Sequence, residues 1–158
     1  MYEHVLVALD GSEAAERVLA HAKALAGAFH STVTLVQAIV SVETIIAQSA
    51  TPGPGVGDIT PPMDPTPIVE AERSSASEYL TGVAARLRAT GVAVNIEMPE
   101  GDAAEAIVDR AEALGVSLIL MTTHGRGGLG RLVFGSTADA VLRHAKCPVL
   151  IVRVHEET

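Results

Sequence analysis

The sequence predicts an α/β protein: a five-stranded parallel sheet with helices on both faces. Three observations carry that expectation. Short apolar runs of Val, Leu and Ile alternate with longer stretches whose apolar residues recur at helical spacing. The chain is 48% apolar but only 3% aromatic, so its core must come from aliphatic side chains and alanine. That mix suits a parallel sheet covered by Ala-rich helices. The 158 residues fit one domain, 1–158, large enough to bury a core without disulfides or metal.

Taken in order, Val5 to Leu9 form the first strand, which stops at Asp10-Gly11-Ser12. Ser12 is suited to cap the next helix by accepting a hydrogen bond from a free N–H. That helix carries Ala15, Val18, Leu19, Ala22, Leu25, Ala26 and Phe29 on one face. Val33 to Ile39 form the second strand. The stretch near 49–67 is rich in Pro, Gly and Thr and predicts a long, mobile surface loop. A helix from about Ile68 to Thr90 follows, with Ala76, Leu80, Val83, Ala84 and Leu87 inward and Gly91 beyond its end.

Val92 to Met98 make the third strand. Asp102-x-x-Glu105 resembles a capping box and opens a helix with Ala103, Ile107, Ala111 and Leu114 inward, closed by Gly115. Ser117 to Thr123 form the fourth strand. After a glycine-rich loop, Ser136 is expected to cap a short helix with Ala138, Val141, Leu142 and Ala145 inward. Pro148 to Val152 form the fifth strand. Strands linked by helices imply right-handed crossovers, with ligands beyond the carboxyl ends of the strands.

A formal charge of −8 gives no general attraction for nucleic acid or an anionic membrane. No apolar run approaches the ~18 residues of a membrane span. Cys147 is the only cysteine, which excludes an internal disulfide, and it reads as a small buried hydrophobe. With no signal-type segment at the N-terminus, these features predict a cytoplasmic protein without membrane insertion.

The segment His124 to Ser136 concentrates the chemistry. Its glycines let the backbone come close to a ligand, and exposed N–H groups there form an anion nest. Ser136 and Thr137 open a helix, whose N-terminal partial charge favours phosphate. Arg126 and Arg131 add cations in an acidic chain. His124 reads as a residue orienting the loop.

Three phosphate patterns overlap in this segment. Gly125-x-Gly127-x-x-Gly130 matches the dinucleotide fingerprint by letter. It opens no helix directly, though, and no acidic residue ends the next strand before Glu156. Gly125-x-x-x-x-Gly130 starts like a P-loop, but Arg131-Leu132 replaces the Lys-Ser/Thr pair. The third pattern is Gly125, nine residues, then Gly135-Ser136.

That third pattern resembles the universal stress protein family, as do Asp10-Gly11-Ser12 and the closing Lys146-Cys147-Pro148-Val149-Leu150-Ile151-Val152. The resemblance spans nearly the whole chain outside the loop near 49–67. It implies a Rossmann-like sheet of order 3-2-1-4-5 and binding of an adenine nucleotide, ATP foremost, with AMP or cyclic AMP as alternatives. It also implies the site residues. Asp10 would sit by the ribose or a bound Mg²⁺, with Ala8 and Leu9 lining the floor. Ala38 would meet adenine through its backbone, Met121 the nucleoside and Thr122 the ribose. Gly125, Arg126, Gly135, Ser136 and Thr137 would surround the phosphates. Thr122 stands where the family pattern has glycine, which bears on how closely the backbone approaches ribose and phosphate.

The same resemblance implies a homodimer through antiparallel pairing of the last strand, 148–153, and a stress-response regulatory role toward a partner protein. A slow ATPase or self-phosphorylating enzyme, with Ser136 or Thr137 as acceptor, is one alternative. A nucleotide-free interaction module is the other. No dedicated catalytic residues are evident in the sequence.

Overall fold

A computed structural model describes residues 1–49, 64–124 and 135–154. Five parallel strands form one sheet of order β3-β2-β1-β4-β5. They are β1 (His4–Ala8), β2 (Thr32–Val36), β3 (Ala93–Glu97), β4 (Leu118–His124) and β5 (Val149–Val154). The helices are α1 (Glu13–Glu16), α2 (Leu19–Phe29), α3 (Val42–Ser49), α4 (Thr66–Arg88), α5 (Ala103–Ala113) and α6 (Ser136–His144). This is the predicted fold.

Alternating strand residues feed two cores. Val5, Val7, Val33, Leu35 and Leu120 pack against Val18 and Ala22 of the first helical pair and Leu80 and Val83 of α4. Leu6, Ala8, Val36, Ile119 and Met121 pack against Ile107 and Ala111 of α5 and Ala138 and Val141 of α6. The central strands are buried on both faces, so they read as unbroken apolar runs. β1 pairs with β2 from His4↔Thr32 to Ala8↔Val36 and with β4 from Val5↔Leu118 to Val7↔Leu120.

The caps show how local chemistry starts the helices. Ser12 Oγ accepts from the Ala15 N–H at 3.1 Å. Asp102 Oδ1 accepts from the N–H groups of Ala104 and Glu105 at 2.9 and 3.1 Å. Both follow the sequence expectation.

Other expectations are corrected. The first predicted helix is two: Arg17 and Val18 N–H groups bond three residues back, to Ala14 and Ala15. A 3₁₀-type turn stacks residues three apart, so Ala15 and Val18 both reach the core. Phe29 is exposed and meets Tyr2 edge-to-face at 5.2 Å between ring centroids. The predicted loop at 49–67 is shorter at both described ends. Ser49 closes α3, and α4 starts at Thr66, where Asp64 Oδ1 accepts the Thr66 N–H at 3.0 Å. Residues 50–63 lie outside the described residues. In α5 it is Ala104, not Ala103, that is buried. In α6 Leu142 faces solvent, because the helix lies on the sheet through Ala138 and Val141. β5 runs to Val154, beyond the predicted end.

Candidate functional site

β1 and β4 are neighbours at the centre of the sheet, and β2 flanks β1. Their carboxyl ends place Ala8, Leu9 and Asp10, Ala38, and Met121 and Thr122 at one end of the sheet on neighbouring strands. Ala8 and Met121 are buried in the core on the α5–α6 side and Leu9 in the core on the α4 side. Thr122 is half-buried inside β4, paired with Val152 of β5. The residue that departs from the glycine pattern is thus part of a regular ladder.

Asp10 is exposed at the end of β1. Its Oδ1 accepts from both the N–H and Oγ–H of Ser12, at 2.9 and 2.6 Å. Gly11 between them has φ +82°, the left-handed region that favours glycine. The turn therefore aims one carboxylate oxygen at Ser12. Oδ2 has no partner among the described residues. Ser12 Oγ donates to Asp10 and accepts from Ala15, so it serves the turn and the helix cap.

At the end of β2 the backbone alternates in a telling way. The Gln37 N–H donates to Glu97 O at 3.2 Å and the Ile39 N–H to Pro99 O at 2.9 Å, both toward the β3 side. Ile39 O accepts from Gly101 N–H at 3.0 Å. In an extended chain the residue between points the other way. The last β1–β2 bond is Leu9 N–H to Val36 O, at 2.8 Å. The N–H and C=O of Ala38 thus face the crevice beyond the end of β1, and among the described residues neither has a partner.

α6 supplies the third wall. Its N-cap is Gly135, a correction to the expected Ser136 cap, and no side chain caps this helix end. Ser136 is instead the first helical residue, so its hydroxyl stands beside the helix N-terminus. Gly135 has φ −56°, a conformation open to any residue. A Cβ there would meet nothing within 4 Å. Gly135, Ser136 and Thr137 form the start of α6, where among the described residues no side chain caps the helix. Gly125, Arg126 and Arg131 lie outside the described residues.

Two residues that the sequence did not single out stand near Asp10. Gln37 Oε1 is buried without a hydrogen-bond partner among the described residues, and Tyr79 Oη is buried beside Glu16. The Tyr79 phenol is pushed up to about 12, first by burial and then by the negative charges of Glu16 and Asp10. Cys147 is half-buried, and burial raises its thiol above the usual range. That makes it a poor nucleophile. No group of three or more His, Cys, Asp or Glu fit to hold a metal occurs among the described residues. Among them, too, no helix is long and apolar enough to cross a membrane.

The family model described as "Universal stress protein family" matches residues 1–153. The chain belongs to the universal stress protein family. A universal stress protein of Methanocaldococcus jannaschii, MJ0531, is 31% identical over 97% of this chain and 83% of its own length. A universal stress family protein of Burkholderia pseudomallei superposes with a TM-score of 0.71 at 31% identity, covering 96% of each chain. A universal stress protein crystallised in complex with cAMP shares the fold, with a TM-score of 0.60 at 21% identity. That match covers 96% of this chain and 97% of the other.

Proposed function

We propose that this universal stress protein binds an adenine nucleotide, ATP foremost, in the crevice between Asp10, Ala38 and the start of α6, and reports that state to a partner. The observation that carries the reading is the unpartnered N–H and C=O of Ala38, fixed between two bonded neighbours. An adenine edge offers an acceptor at N1 beside a donor at N6, which complements that pair. Guanine reverses the pattern. Ala38 is half-buried, and a ligand edge would supply the partner that this pair lacks among the described residues.

Other features support the same ligand. Asp10 Oδ2 is available to a ribose hydroxyl, or to Mg²⁺ brought in with phosphates. The N-terminus of α6, with Ser136 and Thr137, suits an anion. A structural relative bound to cAMP points to the same base. In this reading the buried Ala8, Leu9 and Met121 line the floor, and Gly125 and Arg126 complete the phosphate side.

The reading includes a homodimer through β5 and a cytoplasmic location, in keeping with an acidic chain and a lone cysteine. Calorimetry with ATP, ADP, AMP and cAMP at millimolar concentration tests it. ATP is expected to bind more tightly than GTP. Absence of heat with all four adenine nucleotides would overturn the proposal.

A further inference from the structure

Gln37 follows β2 in register with Val33 and Leu35, which point into the core beneath α4. An apolar side chain is expected there, and the chain places an amide. Its Oε1 is buried and unpartnered among the described residues, an unfavourable arrangement for a polar group. Its Nε2 lies beside the β1–α1 turn: a Cβ added at Gly11 would stand 3.7 Å from that nitrogen.

The strand ends on either side are pinned. The Gln37 N–H is held by Glu97 O at 3.2 Å, and Leu9 N–H holds Val36 O at 2.8 Å. Among the described residues the turn itself is tied through Asp10 Oδ1 and Ser12. The backbone N–H groups of Asp10 and Gly11 have no partner among the described residues. The side-chain amide thus lies beside a turn whose backbone donors are unused among the described residues, and the turn carries Asp10.

We propose that Gln37 is a positioning residue: its side-chain amide seats the Asp10-Gly11-Ser12 turn and so sets where the Asp10 carboxylate meets a bound nucleotide. The proposal rests on the nucleotide reading above. It explains why a polar side chain is kept where leucine would pack without an orphaned oxygen. Gln37 acts through Asp10 and does not itself touch the ligand.

The test uses Gln37→Leu in the full chain, alone and with Asp10→Ala, read by ATP calorimetry and thermal melting. Leucine fills the same space and removes the orphan, so the melting temperature is expected to hold or rise. ATP affinity is expected to fall about tenfold, or about 1.4 kcal/mol. In the Asp10→Ala background the same substitution should cost less than about twofold, because the two residues act as one unit. An affinity within about twofold of wild type for Gln37→Leu would overturn the proposal. So would the full loss persisting without Asp10. Failure of the wild-type chain to bind any adenine nucleotide would instead overturn the nucleotide reading, and this inference with it. If Gln37→Leu does not fold, Gln37→Met is judged by the same criteria.

Discussion

The two edges of the sheet face the same problem and meet it differently. β3 is short, and its outward acceptor is covered: Arg88 donates to Val94 O at 2.6 Å. Arg110 pairs with Glu97 at the strand end at 2.5 Å, and Arg73 pairs with Glu100 just beyond it. Cationic side chains from α4 and α5 thus guard this edge. On β5, Val149, Leu150, Ile151 and Val152 are only half-buried. Among the described residues no side chain bonds to the β5 backbone. Edge strands left apolar and uncovered invite pairing with another chain. Among the described residues one edge is covered and the other is not, and the proposed dimer rests on that difference.

Breaking the open edge should have the largest effect. Pro148 O accepts from Ile119 N–H at 3.0 Å, so by alternation the polar groups of Ile151 point away from β4. Ile151→Pro removes an outward donor without costing a bond to β4. The proposed dimer should weaken about 100-fold or more, since the loss occurs twice across a two-fold axis. Light scattering should then give a monomer mass at micromolar concentration, while wild type gives twice that.

Opening the guarded edge should have a smaller effect. Arg88→Ala frees Val94 O and is expected to cost about 0.5–1.5 kcal/mol, because the guanidinium is exposed. Thermal melting reads the loss, and light scattering on storage should show new association through β3. If Arg88→Ala neither melts earlier nor associates, the edge is not guarded by this contact.

Thr122 joins β4 to the open edge through Val152. Thr122→Gly restores the family's glycine beside the crevice. Glycine within a strand costs roughly 0.5–1 kcal/mol of stability. Closer backbone approach should tighten ATP binding by roughly threefold, a fraction of the 1.4 kcal/mol that makes a decade. Calorimetry beside a melting curve separates the two terms. Equal or weaker affinity would show that threonine is accommodated without loss.

The smallest effect comes from α4, the helix that carries Arg88. Tyr79 titrates from an ordinary 10.0 up to about 12 in the folded chain. Between those values the unfolded state holds fewer protons at this position than the folded one. Stability should therefore fall as pH rises from 10 toward 12, with no pH dependence from Tyr79 below 10. Melting temperature against pH should fall less steeply over that window in Tyr79→Phe. Identical slopes would show that the phenol does not sense its burial or Glu16.

The turn and the caps were legible because their signals are local. Asp10-Gly11-Ser12 announces a turn and a cap, and Asp102 announces another; both bonds form as the residue types require. Ala8, Leu9, Asp10, Ala38, Met121 and Thr122 all gather at the ends of neighbouring strands. Helix α3 was missed, although Ser41 marks its start by accepting the Thr44 N–H at 3.2 Å. Its exposed Ile46 gave no clean apolar stripe. Gln37 was passed over because a single amide after an apolar run carries no pattern.

The sequence by itself determined the order of the strands, most of the apolar residues that fill the cores and the caps that start α1 and α5. Hydrophobic spacing and side-chain capping act over a few residues, so they can be read along the chain. Only the tertiary structure decided how α1 and α2 divide, which cap serves α6 and which edge of the sheet is guarded. It also left Ala38 with unpaired polar groups and Gln37 with a buried orphan. These depend on contacts between distant segments, as between His4 and Ser117, 113 positions apart. Such contacts are set by how the layers pack, and no local pattern encodes them.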